Sequence, residues 1–262
     1  MIRKSFAAAV VVTVVVGISF SPIILTEGAG ANAAEIKVLS ANGVRAILGD
    51  LAGKFESTTG HKVTISYGEA GEIRKRIQDG EMFDATVLPM SVLEELLKQG
   101  KIAPGSTVDI ARTTFGMGVR TGAPKPDISS VDAFRRSLLA ASSIVITDPA
   151  TGGVSGVHFA AVLQRLGIAE EIKPKLKLNK GTYNAEFVTK GEADIAVQGD
   201  HEIRCVPGVE FVPLPTEFQR TVVFSGALAA GAKEPEAAKA LIQFLGGPAA
   251  VPVIKAKCME PG

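Results

Sequence analysis

Apolar residues in this chain switch repeatedly between short continuous runs and helical spacing. Ile36-Lys37-Val38-Leu39 is a strand-like run closed by Ser40-Ala41-Asn42-Gly43. Val44, Ile47, Leu48, Leu51 and Phe55 then recur on one helical face up to Gly60. Residues 63–67 alternate like a strand, Gly68-Glu69-Ala70-Gly71 is a loop, and a basic helix runs from Ile73 to Gly80. Residues 84–88 read as a strand, and Val92, Leu93, Leu96 and Leu97 mark a helix that ends at Gly100. After a break at Ala103-Pro104-Gly105, further strands are predicted at 115–119, 143–147, 195–197, 209–214 and 222–228. Helices are predicted at 131–139, 157–166, 182–190, 237–245 and 251–257. Such alternation implies mainly parallel sheets flanked by helices, an α/β fold. In such sheets ligands sit beyond the carboxyl ends of strands, where strand order reverses. The loops to inspect are therefore 40–43, 68–71, 149–156, 180–183 and 198–201.

The N-terminus breaks the pattern. Arg3 and Lys4 precede an almost wholly apolar stretch, and Ala31-Asn32-Ala33 has the small-x-small form of a signal-peptidase site. Residues 1–33 are thus expected to be a cleaved export signal, with no later segment long enough to span a bilayer. Charge narrows the partners. The 28 Lys and Arg against 27 Asp and Glu leave a net charge of +1, unlike a nucleic-acid binder. Three His and two Cys leave little material for a metal cage. In an oxidising compartment Cys205 and Cys258 either pair or remain two buried thiols, and spacing does not decide between them.

Most of the strand-end loops are built from Gly, Ser, Ala, Thr and Asn, and several lead straight into helices. Helix starts offer free N–H groups and a positive dipole end, so several facing one cleft would cradle an anion. Backbone donors are expected at Gly71, Ser155, Gly156 and Thr182, with Asn42, Gly43, Ala70 and Gln198 in the same loops. Cationic clamps are expected from Arg45, Arg74, Lys180 and Arg204, since guanidinium forks match carboxylates. A carboxylate among anion-binding groups is odd for pure binding and suits a proton-transfer base, so Glu69 is the first catalytic candidate. His201 is the second, with His158 and Tyr183 behind them. The chain has no G-x-S-x-G elbow, P-loop, H-E-x-x-H or C-x-x-C.

In chain order, Lys37-Val38-Leu39-Ser40-Ala41-Asn42-Gly43, Phe83-Asp84-Ala85-Thr86-Val87, Thr147-Asp148-Pro149, the segment 191–197 and Phe244-Leu245-Gly246-Gly247-Pro248 resemble the type II periplasmic solute-binding proteins. The likeness is greatest to the molybdate-binding branch. It implies a periplasmic protein with two α/β lobes, the first from 34–115 and 225–262, the second from 116–224. The chain would cross between them near 113–118 and 218–225, with ligand in the cleft. The branch's oxyanion receptors use hydroxyls in the first two loops and a late tyrosine, and Gly43, Ala70 and Gln198 stand there instead. Each missing hydrogen bond to a charged group costs roughly 1.5–3 kcal/mol, so a larger polycarboxylate fits better than molybdate. Within the branch the chain also resembles the periplasmic aconitate isomerases. That likeness implies a cofactor-independent allylic proton shift on a tricarboxylate. The alternative is a receptor delivering molybdate, tungstate or a small carboxylate to an ABC permease.

Overall fold

The computed structural model describes residues 33–181 and 183–262. The expected export signal lies outside them except for Ala33, and so does Thr182. Residues from Ala33 to Gly262 form one compact unit containing two sheets. Strand β1 (Glu35–Ala41) leads through a 3-10 turn (Asn42–Val44) into α1 (Arg45–Thr59). The helix buries Ile47, Leu48, Leu51 and Phe55, the apolar stripe of the sequence, and stops where Gly60 adopts a left-handed φ of 77°. Strand β2 (Lys62–Gly68), helix α2 (Ala70–Gln78), strand β3 (Ala85–Pro89), helix α3 (Met90–Lys98) and strand β4 (Val108–Thr113) follow.

The chain then passes to the second sheet through Thr114 alone. That sheet's part of the chain runs β5 (Phe115–Arg120), α4 (Val131–Ala140), β6 (Ile144–Thr147), α5 (Val154–Arg165), α6 (Ala169–Ile172), β7 (Leu176–Asn179), α7 (Ala185–Thr189), β8 (Ile195–Gly199), α8 (Asp200–Arg204) and β9 (Val209–Pro213). After residues 214–221 the chain returns as β10 (Val222–Leu228), α9 (Pro235–Leu245), α10 (Val251–Ala256) and β11 (Glu260–Pro261). Strand order is β11-β4-β10-β3-β1-β2 in the first sheet and β7-β6-β8-β5-β9 in the second.

Each sheet has a parallel group, β2-β1-β3 or β7-β6-β8. The strands at the crossings extend it in antiparallel fashion: β10 runs against β3, and β5 against β8. A returning strand enters from the opposite end, so this orientation follows from the two passages. Residues 222–224 pair with β4 in the first sheet. Strands β4, β7 and β11 were not anticipated. The helix expected at 182–190 begins only at Ala185.

Cys205, after α8, and Cys258, after α10, form a disulfide with their Cα atoms 6.4 Å apart. Among the described residues no single helix is long and apolar enough to cross a membrane.

Asp84 shows how the first sheet is fastened. It is 3% exposed. One carboxylate oxygen accepts from the Lys233 and Glu234 amides at 2.7 and 3.1 Å, at the start of α9. The other accepts from Lys37 N in β1 at 2.9 Å. Asp84→Ala strands three amides at once, and thermal or denaturant unfolding should show a loss of about 3 kcal/mol or more.

Candidate functional site

The five strand-end loops converge. A cavity of about 260 Å³ between the two sheets is lined by Asn42, Gly43 and Arg45 after β1, and by Glu69 and Ala70 after β2. From the other side come Val154 and Ser155 after β6, Gly181 and Tyr183 after β7, Gln198 and Gly199 at the end of β8, and His201 and Glu202 after it. Phe115, Val222 and Phe224, at the two crossings, add apolar wall. Helices α1, α2 and α5 all begin at this wall, so their positive dipole ends favour an anion there.

Glu69 sits at the start of α2, where its own amide donates to Glu72 Oε2 at 3.0 Å. Its Oε1 accepts from Asn42 Nδ2 at 3.0 Å. Its Oε2 lies against Gly153 of the opposite wall, 2.9 Å from where a Cβ would stand. Burial raises the Glu69 pKa above its ordinary value; the Asn42 hydrogen bond opposes this, the Glu72 charge adds to it, and Arg45 opposes it. Arg45 donates to Asn42 Oδ1 at 2.9 Å and lies over the Tyr67 ring, 4.4 Å from its centroid. Tyr183 is 40% exposed, and burial of the rest raises the pKa of its phenol.

His201 lines the cavity, but both ring nitrogens are engaged. A carbonyl can only accept, so Nε2 donates to Gly43 O at 2.8 Å. Nδ1 is then left to accept from Thr113 Oγ1 at 2.9 Å. Burial lowers the ring's pKa to about 4, with the Gly43 contact opposing, and so keeps it neutral near pH 7. His201 therefore ties α8 to the first sheet's loops, with no free lone pair to take a ligand's proton. His158 is also occupied away from the cavity wall, bonding Phe218 O at 2.7 Å and stacking on Phe115.

Five further expected contacts fall outside the wall, each for a local reason. Arg74 pairs with Glu95 at 2.9 Å on the surface. Lys180 is an exposed side chain 3.8 Å from Asp148. Arg204 pairs with Asp200 and covers Phe211. Gly71 donates its N–H across the cleft to Gly152 O at 3.2 Å. Gly156 is packed against the Thr147 carbonyl. Arg45 is thus the one Lys or Arg among the described lining residues, facing Glu69, Glu186 and Glu202.

The residue that sequence reasoning missed is Glu202. Its Oε2 accepts from Gly199 N at 3.1 Å and its Oε1 from Gln198 Nε2 at 2.9 Å. Burial pushes its pKa up to about 8; the Gly199 amide opposes this, the Glu69 charge adds to it, and the Gln198 amide opposes it. The acidic third position of α8 signalled a helix cap, while nothing local signalled enclosure.

Residues 36–260 match the family described as bacterial extracellular solute-binding protein. The chain is 33% identical over 233 residues to an aconitate isomerase of Pseudomonas sp, covering 86% of this chain and 87% of that one. It is 29% identical to the molybdate-binding protein ModA of Azotobacter vinelandii, covering 91% and 96%. The solved periplasmic molybdate-binding protein of Azotobacter vinelandii superimposes with a TM-score of 0.68 at 22% identity, over 86% of this chain and 98% of that one. Two sheets joined by two passages, with a ligand-sized cavity between them, are the type II periplasmic binding-protein architecture, and the chain belongs to the bacterial extracellular solute-binding protein family.

Proposed function

We propose that this protein is a periplasmic isomerase, exported with cleavage after Ala33, that interconverts trans- and cis-aconitate by an allylic proton shift in the closed cleft. The observation that carries the reading is Glu69: a carboxyl with heightened proton affinity, lining the cavity between the sheets, beside Arg45 and three helix starts. A group of raised pKa is suited to take a proton from carbon and return it. The shift removes a proton from the substrate methylene. The C–H electron pair becomes the new double bond, and the former alkene carbon regains a proton. Charge that develops on the adjacent carboxylates is met by Arg45 and by the helix-start amides. The single bond of the substrate becomes the double bond of the product, so the conformer held by the cavity sets cis or trans. The 33% identity to an aconitate isomerase across most of both chains supports the same reading.

A second reading is a receptor that hands an anion to an ABC permease, favoured by the ModA likeness over 91% of the chain. The loss of hydroxyls at Gly43 and Ala70 speaks against a tetrahedral oxyanion as ligand. One experiment separates the two: purified mature protein is incubated with trans-aconitate, and cis-aconitate is followed by chromatography. Turnover is the expected result. Tight anion binding without turnover would establish the receptor instead.

A further inference from the structure

The cavity has a charge problem. A tricarboxylate brings three negative charges to a wall that offers one guanidinium, Arg45, and three carboxyl groups, Glu69, Glu186 and Glu202. Glu186 has an ion-pair partner in Lys190 at 3.5 Å. Among the described residues Glu202 has none: its hydrogen-bond partners are the neutral Gly199 amide and the neutral Gln198 side chain. Those contacts fix the carboxyl at the cavity wall without neutralising it.

We propose that Glu202 keeps its proton in the closed cleft and donates it to a carboxylate of the bound ligand, making it the residue that selects polycarboxylates. The proposal rests on the functional reading above. A proton on Glu202 converts a like-charge repulsion into a short O–H···O⁻ hydrogen bond, among the stronger kinds. A neutral acid in a water-poor site can thereby do a cation's work. Burial, which holds this carboxyl's pKa at about 8, supplies the required state: the donor predominates below that pH and is lost as pH rises through it.

Among the described residues, the charged and titratable groups facing the same cavity are Arg45, Glu69, Tyr183, Glu186 and His201. On α8 itself, Asp200 and Arg204 pair with each other. Of the strands packed on α8, β8 carries no charged residue. Arg120 of β5 bonds Val188 O and Glu210 of β9 pairs with Lys125. Both lie toward the end of β5 away from cavity-lining Phe115. Above about pH 7 the ligand's own carboxyls are already ionised and do not titrate further.

The test is calorimetry with trans-aconitate between about pH 6.5 and 9.5, in buffers of different ionisation heat. In the wild type, Kd should rise about tenfold per pH unit above about 8, with up to one proton taken up per ligand. Glu202→Gln keeps a hydrogen-bond donor that does not titrate, so this slope and this proton uptake should vanish. In the ligand-free protein the Glu202 carboxyl carbon, assigned by its loss in Glu202→Gln, should titrate near pH 8. A carboxyl midpoint in the ordinary range, a flat wild-type profile, or an equal slope in Glu202→Gln would overturn the assignment. Turnover at about pH 6.5 tests the functional reading separately, and a protein that binds no tricarboxylate at any pH overturns both.

Discussion

Glu69→Gln should lower kcat for aconitate isomerisation by about 10²–10⁴-fold, the usual contribution of a positioned acid–base group. The substitution preserves the volume of the side chain and an acceptor oxygen for Asn42 Nδ2, which donates to Oε1 at 3.0 Å. Ground-state binding should therefore survive, and KM should change far less than kcat. Both constants come from initial-rate measurements on the purified variant. Near-wild-type turnover would remove Glu69 as the base. A parallel loss in kcat/KM with no binding would show instead that the variant had lost the site's geometry.

The second large effect is expected at Gly71, through closure and not through chemistry. Gly71 on α2 and Gly152 before α5 belong to opposite walls, and their backbones touch. A Cβ on residue 71 would stand 2.7 Å from Gly152 Cα and 3.0 Å from Thr151 O. Gly152 has a φ of 73°, a conformation that side chains resist, and a Cβ there would stand 2.5 Å from Gly71 Cα. Neither wall can yield without holding the cleft ajar. Gly71→Val should lower kcat/KM by about 10²-fold, the cost of misplacing reacting groups by roughly 1 Å. Its radius of gyration with ligand should exceed that of the liganded wild type in small-angle scattering. Thermal stability should be little affected, because residue 71 is helical and its contact lies only across the cleft. A variant that closes normally and keeps its kcat/KM would show that the Gly71–Gly152 contact is dispensable.

Much of this arrangement was legible in the chain. The spacing of Val44, Ile47, Leu48, Leu51 and Phe55 identified α1, and strand-to-helix alternation located all five loops that meet at the cavity. Period and punctuation are local properties, and they survive without tertiary knowledge. Three strands escaped notice for physical reasons. Strand β7 has two exposed residues among its four, Lys177 and Leu178, so it lacks an apolar run. Strand β11 has only two residues. Strand β4 carries exposed Asp109 and Arg112, and its identity rests on pairing with β10, distant in sequence.

The cations were the weaker part of the reading. Proximity to a loop placed Arg74, Lys180 and Arg204 in the site, yet each side chain turns to a nearby acid: Glu95, Asp148 or Asp200. The Asp200–Arg204 pair, four residues apart on one helix, was readable from spacing. Glu202 was not, because its proton affinity depends on walls contributed by residues far away in the chain.

The sulfur bridge between Cys205 and Cys258 completes a spine. Both chain passages, Thr114 and residues 214–221, lie on the side of the molecule where a surface hollow is bordered by Thr114, Thr221 and Cys258. Three covalent straps along one edge leave the protein free to part only like a stapled booklet. The contact between Gly71 and Gly152 is not covalent and can part, while the α8 segment that carries Glu202 stays bound at its root by Cys205.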